Sequence, residues 1–337
     1  LLTPTNNMSL SPSNPPEGGW TTLIDELCAG TWRHPDTGDV CPPAPYDKIV
    51  IAEDLHGLEA QLVTDVGMDA PYTVVADEQT WEAMGRRIAK ALRSLGKVNE
   101  IIFKSPHASL SEVVNLKQKL VGATSVIAVG SGSVNDLCKH ATFQLGLRYS
   151  VFGTAASMNG YTSKTASMAL ESGLKVSLPS HAPAGFFADL KVSAEAPPYL
   201  AAAGFGDCLC RSVAQIDWWM SHRLFDTPYY EEPYLIEIPD EKELNSRAHL
   251  LPAGDITAIG YLHRVLTLCG LGMAFTNSSH HGSMGEHQVS HYIDCFAGKR
   301  HPGTLHGQQV GVASITMARI QQHFLSSKKP PVIEPTR

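Results

Sequence analysis

Three short segments in the second half of the chain carry side chains of the kind that bind divalent metal ions. Asp207 lies in GFGDCLCRS, His287 and His291 lie in GEHQVSHY, and His306 lies in HPGTLHG. A carboxylate and two imidazoles form a good three-ligand site that leaves one position open for water or substrate. His287 and His291 are spaced to share one face of a helix. These residues are therefore candidate donors for a catalytic metal site.

Each of these residues also has a purely structural interpretation. Asp207 follows a glycine-rich stretch, and an aspartate at a helix start accepts hydrogen bonds from backbone N–H groups. A single histidine is more often a surface or core residue than a ligand. The segments are far apart along the chain, and spacing alone does not show that they meet. Both interpretations stay open at this point.

A glycine-rich segment in the first half is typical of a phosphate-binding turn. VIAVGSGSVNDLCK predicts a strand and a helix, joined through Gly130, Ser131, Gly132 and Ser133. Glycines let a phosphate approach the backbone, and the N–H groups at the helix start favour negative charge. An ordinary strand-to-helix turn explains the same residues equally well.

Asp77 ends another predicted strand, in VVADEQT. Ligands of doubly wound sheets bind at the carboxyl ends of the strands. An acid in this position would hold the ribose hydroxyls of NAD and repel the 2′-phosphate of NADP. The same residue is expected to cap the helix that follows, and the two roles are compatible.

The elements that position these residues follow a simple order. Apolar segments such as KIVIA, YTVVAD, SVIAVG and YSVFG alternate with amphipathic helices, which predicts a parallel sheet covered on both faces. GFFADL is the last expected strand, and the pattern after Pro197 is helical. We predict an N-terminal extension at 1–45, an α/β domain at 46–195 and an all-α domain at 196–337.

Composition excludes several classes of function. The chain is 43% hydrophobic and 18% charged, as in folded globular proteins. A net charge of −7 without a dense basic block argues against nucleic acid or an anionic membrane as partner. No apolar run approaches the roughly 20 residues of a membrane span, and the first residues do not resemble a signal peptide. Seven scattered cysteines predict reduced thiols and a cytoplasmic location.

The ordered set GSGSVND, GTAASMNGYTS, GFGD, GEHQVSHY and HGQQVGV resembles the sn-glycerol-1-phosphate dehydrogenases. These belong to a wider group with the iron-containing alcohol dehydrogenases, glycerol dehydrogenases and dehydroquinate synthases. The resemblance runs from about Lys48 to the last helix. It implies a Rossmann-like N-terminal domain, an all-α C-terminal domain and an active site in the cleft between them. Similar proteins commonly form homo-oligomers.

The resemblance also assigns roles to residues. Asp207, His287 and His306 are expected as ligands of one divalent metal, zinc first, with nickel or iron as alternatives. The expected NAD-binding residues, with NADP as the alternative cofactor, are Asp77, Gly130, Ser131, Gly132, Ser133, Asp136, Thr154 and Ser157. Such an enzyme interconverts a small phosphorylated ketone or aldehyde and its alcohol by hydride transfer, here dihydroxyacetone phosphate and sn-glycerol-1-phosphate.

The expected substrate-binding residues lie in the predicted loop FGTAASMNGYTSKTAS and in the segment SHHGSMG. Asn159 stands where the family commonly has aspartate, and His280 stands where it has arginine. Lys164, His280 and His281 are the candidate cations for a small anionic substrate. A different anionic carbonyl compound, such as a phosphonate, fits the same residues. The chain ends earlier than the family pattern suggests, so further C-terminal helices are expected.

Two rival functions remain. A lyase similar to the dehydroquinate synthases shares the architecture, and YTSKT faintly resembles their G-G-K-T segment at Lys164 and Thr165. Their first metal ligand is glutamate, however, whereas GFGD supplies Asp207. A cofactor-binding protein without activity is the second rival, and the presence of all three expected ligands argues against it.

Overall fold

The computed structural model describes residues 14–44, 46–171 and 174–326. The start of the predicted N-terminal extension, residues 1–13, lies outside the described residues, as does the tail at 327–337. Within the extension, one helix forms where the apolar segment TTLIDELCAG stands, at Thr22–Ala29 (α1).

Six parallel strands form the sheet of the first half. They are β1 (Lys48–Ala52), β2 (Tyr72–Asp77), β3 (Val98–Phe103), β4 (Ser125–Gly130), β5 (Arg148–Gly153) and β8 (Gly185–Asp189), in the spatial order β1-β8-β5-β4-β2-β3. Their carboxyl ends share one edge, where Gly130 of β4 pairs with Gly153 of β5. Strands β6 (Thr165–Ala169) and β7 (Lys175–Pro179) form a separate antiparallel hairpin.

Helices cover both faces of this sheet, which confirms the prediction. The further helices of the first half are α2 (Glu59–Asp65), α3 (Glu78–Thr80), α4 (Arg86–Leu92), α5 (Leu110–Lys119), α6 (Gly132–Leu145) and α7 (Leu190–Glu195). One π-helical turn at Trp81–Gly85 joins α3 to α4. Successive strand residues point to opposite faces, so Val126 belongs to one hydrophobic cluster and Ile127 to the other.

The second half is helical. Its long helices are α8 (Pro198–Cys208), α9 (Cys210–Phe225), α10 (Glu232–Arg247), α11 (Ile256–Thr276), α12 (Gly285–Phe296) and α13 (His306–Ser326). Short 3-10 segments lie at Gly160–Thr162, Ala248–Ala253 and Gly298–Arg300. The predicted fold class, an α/β N-terminal part followed by an all-α part, is therefore confirmed.

Helix α11 is the central helix of the second half. Among the described residues it is the one helix long and apolar enough to cross a membrane, with a mean hydropathy of 1.3 over Ile256–Met273. The expectation that no apolar run approaches this length was therefore wrong for this segment. In this fold 89% of that window is buried. Its neighbours include α8 and α10, so its apolar surface is covered by protein.

Two local predictions were wrong. The segment DLHGLEAQLVTDVG after β1 predicts a helix with Asp54 near its start, but the helix begins at Glu59. The reason is a turn, in which the Asp54 side chain accepts a hydrogen bond from His56 N and Gly57 takes a φ of +87°. The segment from 152 to 167 was expected to be a loop throughout, but Thr165 starts β6, since the backbone from Thr165 to Ala169 pairs with β7.

The close approach of α8 and α13 brings two expected ligands together. A Cβ on Gly206 of α8 would lie 2.2 Å from the carbonyl oxygen of Gly307 in α13. A Cβ on Gly307 would lie 2.1 Å from the carbonyl oxygen of Ala203. Only glycine permits this backbone distance. The next residue after Gly206 is Asp207, and the residue before Gly307 is His306.

Candidate active site

The three expected metal ligands meet. Asp207 comes from α8, His287 from α12 and His306 from α13, and one ligand atom of each lies within 4.8 Å of the others. Nε2 of His287 is 3.6 Å from Oδ1 of Asp207. Asp207 lies inside α8, so the interpretation of this residue as a helix N-cap after a glycine-rich turn is wrong.

The unsatisfied atoms of this cluster fit a divalent cation. Asp207 is 3% exposed, and its Oδ1 is buried without a hydrogen-bond partner. Nδ1 of His287 contacts Oε1 of Glu286 at 2.8 Å, and Nδ1 of His306 contacts Oγ of Ser290 at 2.8 Å. These contacts occupy both Nδ1 atoms and leave Nε2 of each ring for an ion. One carboxylate and two imidazoles are a suitable donor set for zinc, nickel or iron.

Burial dominates the electrostatics of the cluster. It raises the pKa of the Asp207 carboxyl, although the nearby His287 opposes this effect. Burial, together with the nearby His287 and His291, lowers the pKa of His306 to about 3. A bound cation would stabilise the ionised carboxylate of Asp207 and so offset the effect of burial on it. A cation binds imidazole in its neutral form, which burial favours at His306.

His291 lies beside this cluster. Its ring stacks on that of His306, with centroids 5.7 Å apart, and it lines the same cleft. The third residue whose ligand atom lies within 4.8 Å of those of Asp207 and His287 is His306, not His291. The sequence spacing correctly placed His287 and His291 on one helix face, since both belong to α12.

The cluster opens into a cleft of about 440 Å³ between the two halves of the chain. The first half contributes Asp136, Met158, Asn159, Gly160, Ser163, Lys164, Thr165, Ser167 and Ser177. The helical half contributes Asp207, Met273, Asn277, Ser278, Ser279, Ser283, His287, His291 and His306. Lys164 is the only lysine or arginine among these described lining residues. The cleft thus combines the ligand cluster, many hydroxyl groups and one cation.

The predicted phosphate-binding turn lies between β4 and α6. Gly130 ends β4, and α6 begins at Gly132. The side chain of Ser131 does not cap α6, and Ser133 is exposed, so the first N–H groups of a 14-residue helix have no side-chain cap. A Cβ on Gly132 would meet only the sulfur of Met158, at 3.6 Å. This helix start is open to an anion.

The other expected cofactor residues lie around the same sheet edge. Thr154 is buried just after β5, and its N–H donates to the carbonyl of Gly130 at 3.2 Å. Ser157 is half-buried in the segment that follows. Asp136 is buried in α6, where it accepts a hydrogen bond from Ser167 N at 3.1 Å.

Asp77 caps the helix that follows β2. Its Oδ1 accepts a hydrogen bond from Thr80 N at 2.8 Å, and Thr80 Oγ1 accepts one from Asp77 N at 3.0 Å. This reciprocal pair is a capping box. The predicted capping role is confirmed.

Asn159 connects the substrate side of the cleft to the ligand cluster. Its backbone N–H donates to Oδ2 of Asp207 at 3.1 Å, so one carboxylate oxygen is held and the other remains free. Its side-chain amide donates to the sulfur of Cys269 at 3.6 Å. Asn159 therefore acts on the cluster through its backbone N–H, which any residue type except proline would supply at this position.

The histidines at 280 and 281 do not line the cleft with Lys164. His281 is buried, its Nε2 contacts the carbonyl oxygen of Cys269 at 2.9 Å, and burial lowers its pKa to about 4. The ring of His280 packs edge-on against Trp218. Lys164 is the one candidate cation that the fold brings to the cleft.

Cys269 and His281 also lie within 4.8 Å of Glu237. Arg211 already pairs with Glu237, its Nε lying 2.9 Å from Oε2. We interpret this second cluster as buried packing behind the cleft.

Sequence reasoning missed several polar residues that lie beside the expected ligands. Glu286 directly precedes His287 in GEH, and Ser290 and Gln309 each follow an expected ligand histidine by one helical turn. This spacing was a usable signal, because residues three apart on a helix are neighbours. Lys139 was also missed. It is a fully buried lysine whose Nζ donates to the loop that contains Asn159.

Known proteins resemble most of this chain. The family model for iron-containing alcohol dehydrogenases matches residues 50–197. A glycerol-1-phosphate dehydrogenase of Thermococcus kodakarensis is 30% identical over 273 residues, which cover 80% of this chain and 76% of that protein. The chain belongs to the glycerol-1-phosphate dehydrogenase family. The resemblance carried by the motifs is thereby confirmed.

Two further matches define how far the likeness extends. The glycerol-1-phosphate dehydrogenase of Halalkalibacterium halodurans is 32% identical over 265 residues, and the match covers 76% of this chain but 66% of that protein. The chain thus spans about two thirds of that relative's length. The crystal structure of a probable glycerol dehydrogenase from Sinorhizobium meliloti has the same fold, with a TM-score of 0.66, 21% identity and coverage of 80% of this chain and 75% of that one.

Proposed function

We propose that this member of the glycerol-1-phosphate dehydrogenase family is a metal-dependent, NAD(P)-linked dehydrogenase. Its proposed reaction is the reduction of dihydroxyacetone phosphate to sn-glycerol-1-phosphate, and the reverse oxidation. The observation that carries the proposal is the meeting of Asp207, His287 and His306 at a cleft that also contains Lys164. The aspartate in the first ligand position favours a dehydrogenase over the lyase alternative.

In this proposal Asp207, His287 and His306 would hold one divalent ion, for which we propose zinc. Bound there, the ion would supply Lewis-acid stabilisation of negative charge on the substrate oxygen, while the cofactor supplies or accepts the hydride. The ammonium group of Lys164 would bind the substrate phosphate, with serine hydroxyls of the cleft as further donors. Asn159 would keep Asp207 oriented through the hydrogen bond from its backbone N–H.

The cofactor would lie along the carboxyl edge of the sheet. The uncapped start of α6, with Gly130, Ser131, Gly132 and Ser133, would bind the pyrophosphate. Thr154 and Ser157 would lie on the nicotinamide side, and Asp136 would lie between the cofactor and the substrate. The free cysteines suit a reducing compartment, and we propose a cytoplasmic location.

The first test is NADH oxidation by zinc-reconstituted protein with dihydroxyacetone phosphate. We expect turnover that disappears when the metal is stripped and returns when zinc is added. Unphosphorylated dihydroxyacetone is the matched control, since it lacks only the group that Lys164 would bind, and we expect a clearly higher KM for it. Equal rates on both ketones would contradict the phosphate assignment, and turnover by the stripped protein would contradict the metal site.

Asp77→Ser is expected to relax the preference for NAD. Serine keeps the helix cap, because its hydroxyl accepts the same backbone hydrogen bond, but it removes the charge that would repel a 2′-phosphate. We expect the ratio of kcat/KM for NADH to that for NADPH to fall by about tenfold, equivalent to about 1.4 kcal/mol. Steady-state kinetics with both cofactors measures it. Asp255→Asn, a change at the cap of α11, is the control and should leave the ratio unchanged.

A further inference from the structure

A chain of polar contacts runs from the β6–β7 hairpin to the ligand His306. Nζ of Lys175, in β7, lies 2.6 Å from Oδ2 of Asp294 in α12. Oδ1 of Asp294 accepts a hydrogen bond from Nε2 of Gln309 at 3.0 Å. Oε1 of Gln309 accepts one from the hydroxyl of Ser290 at 2.7 Å, and Oγ of Ser290 lies 2.8 Å from Nδ1 of His306.

The direction of each hydrogen bond between Asp294 and His306 follows from the carboxylate of Asp294. A carboxylate can only accept, so Asp294 requires the NH₂ group of Gln309 on its side. The amide oxygen of Gln309 must then face Ser290, whose single hydroxyl proton is donated to that oxygen. Ser290 has no second proton, so it can only accept from Nδ1 of His306. His306 therefore carries its proton on Nδ1 and presents the lone pair of Nε2 to the ligand cluster.

We propose that Ser290 and Gln309 are positioning residues that fix the metal-binding tautomer of His306. The inference rests on the proposed metal site. It assigns Asp294 and Lys175 the task of orienting the Gln309 amide from the side of the hairpin, which contributes Thr165, Ser167 and Ser177 to the cleft.

Burial protects the hydrogen bonds of Ser290 and Gln309 from water. Ser290 is 0% exposed and Gln309 is 5% exposed, so water does not compete freely for their hydrogen bonds. His301 also contacts Oδ1 of Asp294, at 2.9 Å, and the carboxylate can accept from both neighbours. The other histidine ligand is held differently, since Nδ1 of His287 contacts the carboxylate of Glu286. A change at Ser290 or Gln309 therefore acts on one ligand and leaves the other in place.

The tautomer can be read directly in the metal-free protein. Long-range ¹H–¹⁵N correlation spectra of protein labelled at histidine distinguish Nδ1–H from Nε2–H, and a His306→Gln variant assigns the signals. We expect Nδ1–H at His306 in the parent protein. Gln309→Met removes the acceptor of the Ser290 hydroxyl, which can then donate to Nδ1, so we expect the tautomer to change to Nε2–H. A role of Gln309 in packing alone predicts no such change.

Metal affinity provides the second readout. Loss of a partner of this kind typically weakens metal binding about 10- to 100-fold, and we expect this for Ser290→Ala and Gln309→Met in competition titrations of zinc against a chelator. Ser314→Ala is the matched control, because it removes a different buried hydroxyl, in α13, that donates to Val310 O within its own helix. It should leave the zinc affinity unchanged.

Two failures are distinguishable. If His306→Gln leaves zinc binding unchanged, the proposed metal site itself is wrong, and this inference falls with it. If His306→Gln abolishes zinc binding while Ser290→Ala and Gln309→Met keep both the Nδ1–H tautomer and the parent affinity, the metal site stands and the positioning role is overturned.

Discussion

Asp207→Asn is expected to abolish zinc binding and to lower turnover by about a thousandfold or more. The amide keeps the shape of the side chain, and its oxygen can still accept from Asn159 N. It replaces the partnerless Oδ1, which faces His287, with a neutral group that does not bind a cation. A thousandfold loss corresponds to about 4 kcal/mol of transition-state stabilisation, within the several kcal/mol that a Lewis-acid metal supplies.

Zinc content and NADH oxidation with dihydroxyacetone phosphate measure this effect. Asp255→Asn is the control for the same chemical change, since asparagine caps a helix as well as aspartate does and Asp255 does not line the cleft. Full activity in Asp207→Asn would mean that the carboxylate is not a ligand. Thermal unfolding of Asp207→Asn shows whether the variant is folded, and so separates a loss of metal alone from a loss of the fold.

The sheet could be predicted because its strands carry their own signal. β4, for example, is buried along its whole length, as the apolar run SVIAVG suggests. The segment GFGD gave a misleading signal. Its glycines are typical of a turn, but Gly204 and Gly206 lie inside α8, where they allow backbones of distant segments to approach. The sequence does not show that GFGD packs against α13, because this contact joins segments that are far apart along the chain.

The ligand cluster was predictable only through the family motifs, because Asp207 and His306 are brought together by tertiary packing. The substrate side shows the limit of reasoning from residue type. His280 and His281 were chosen as cations in a row of polar residues, yet His281 is buried against Cys269. Burial of an imidazole lowers its pKa and favours the neutral form, so a buried histidine is a poor anion-binding residue.

A buried lysine beneath the cleft is expected to control both stability and activity. Lys139 is 0% exposed, and burial lowers its pKa to about 8 against the opposing effect of Asp136. Its Nζ donates to the carbonyl oxygens of Gly160 at 2.5 Å, Ser163 at 3.0 Å and Thr165 at 3.3 Å. The loop that it holds contains both Asn159 and Lys164.

Lys139→Met should therefore lower the free energy of unfolding by about 3–5 kcal/mol, the typical cost of leaving a buried charge uncompensated. Methionine fills a similar volume but donates no hydrogen bond, so the loop carbonyls lose their donor. Asp136 loses a cation that opposes the effect of burial on its pKa. We also expect turnover to fall at least about tenfold even where the variant is folded, because Asn159 N would no longer be held against Asp207. Urea unfolding and steady-state kinetics below the transition measure the two effects.

The double variant Lys139→Met/Asp136→Asn separates charge from loop anchoring. Asparagine needs no compensating cation, so the double variant should recover part of the lost stability relative to Lys139→Met. It should not recover turnover, because the carbonyls of the loop still lack their donor. Exposed Lys90 on α4 provides the control, and Lys90→Met should change the free energy of unfolding by less than about 0.5 kcal/mol. If Lys139→Met matched Lys90→Met in both measurements, the loop would be held by its own backbone contacts, and the ammonium group would not be needed to orient Asp207.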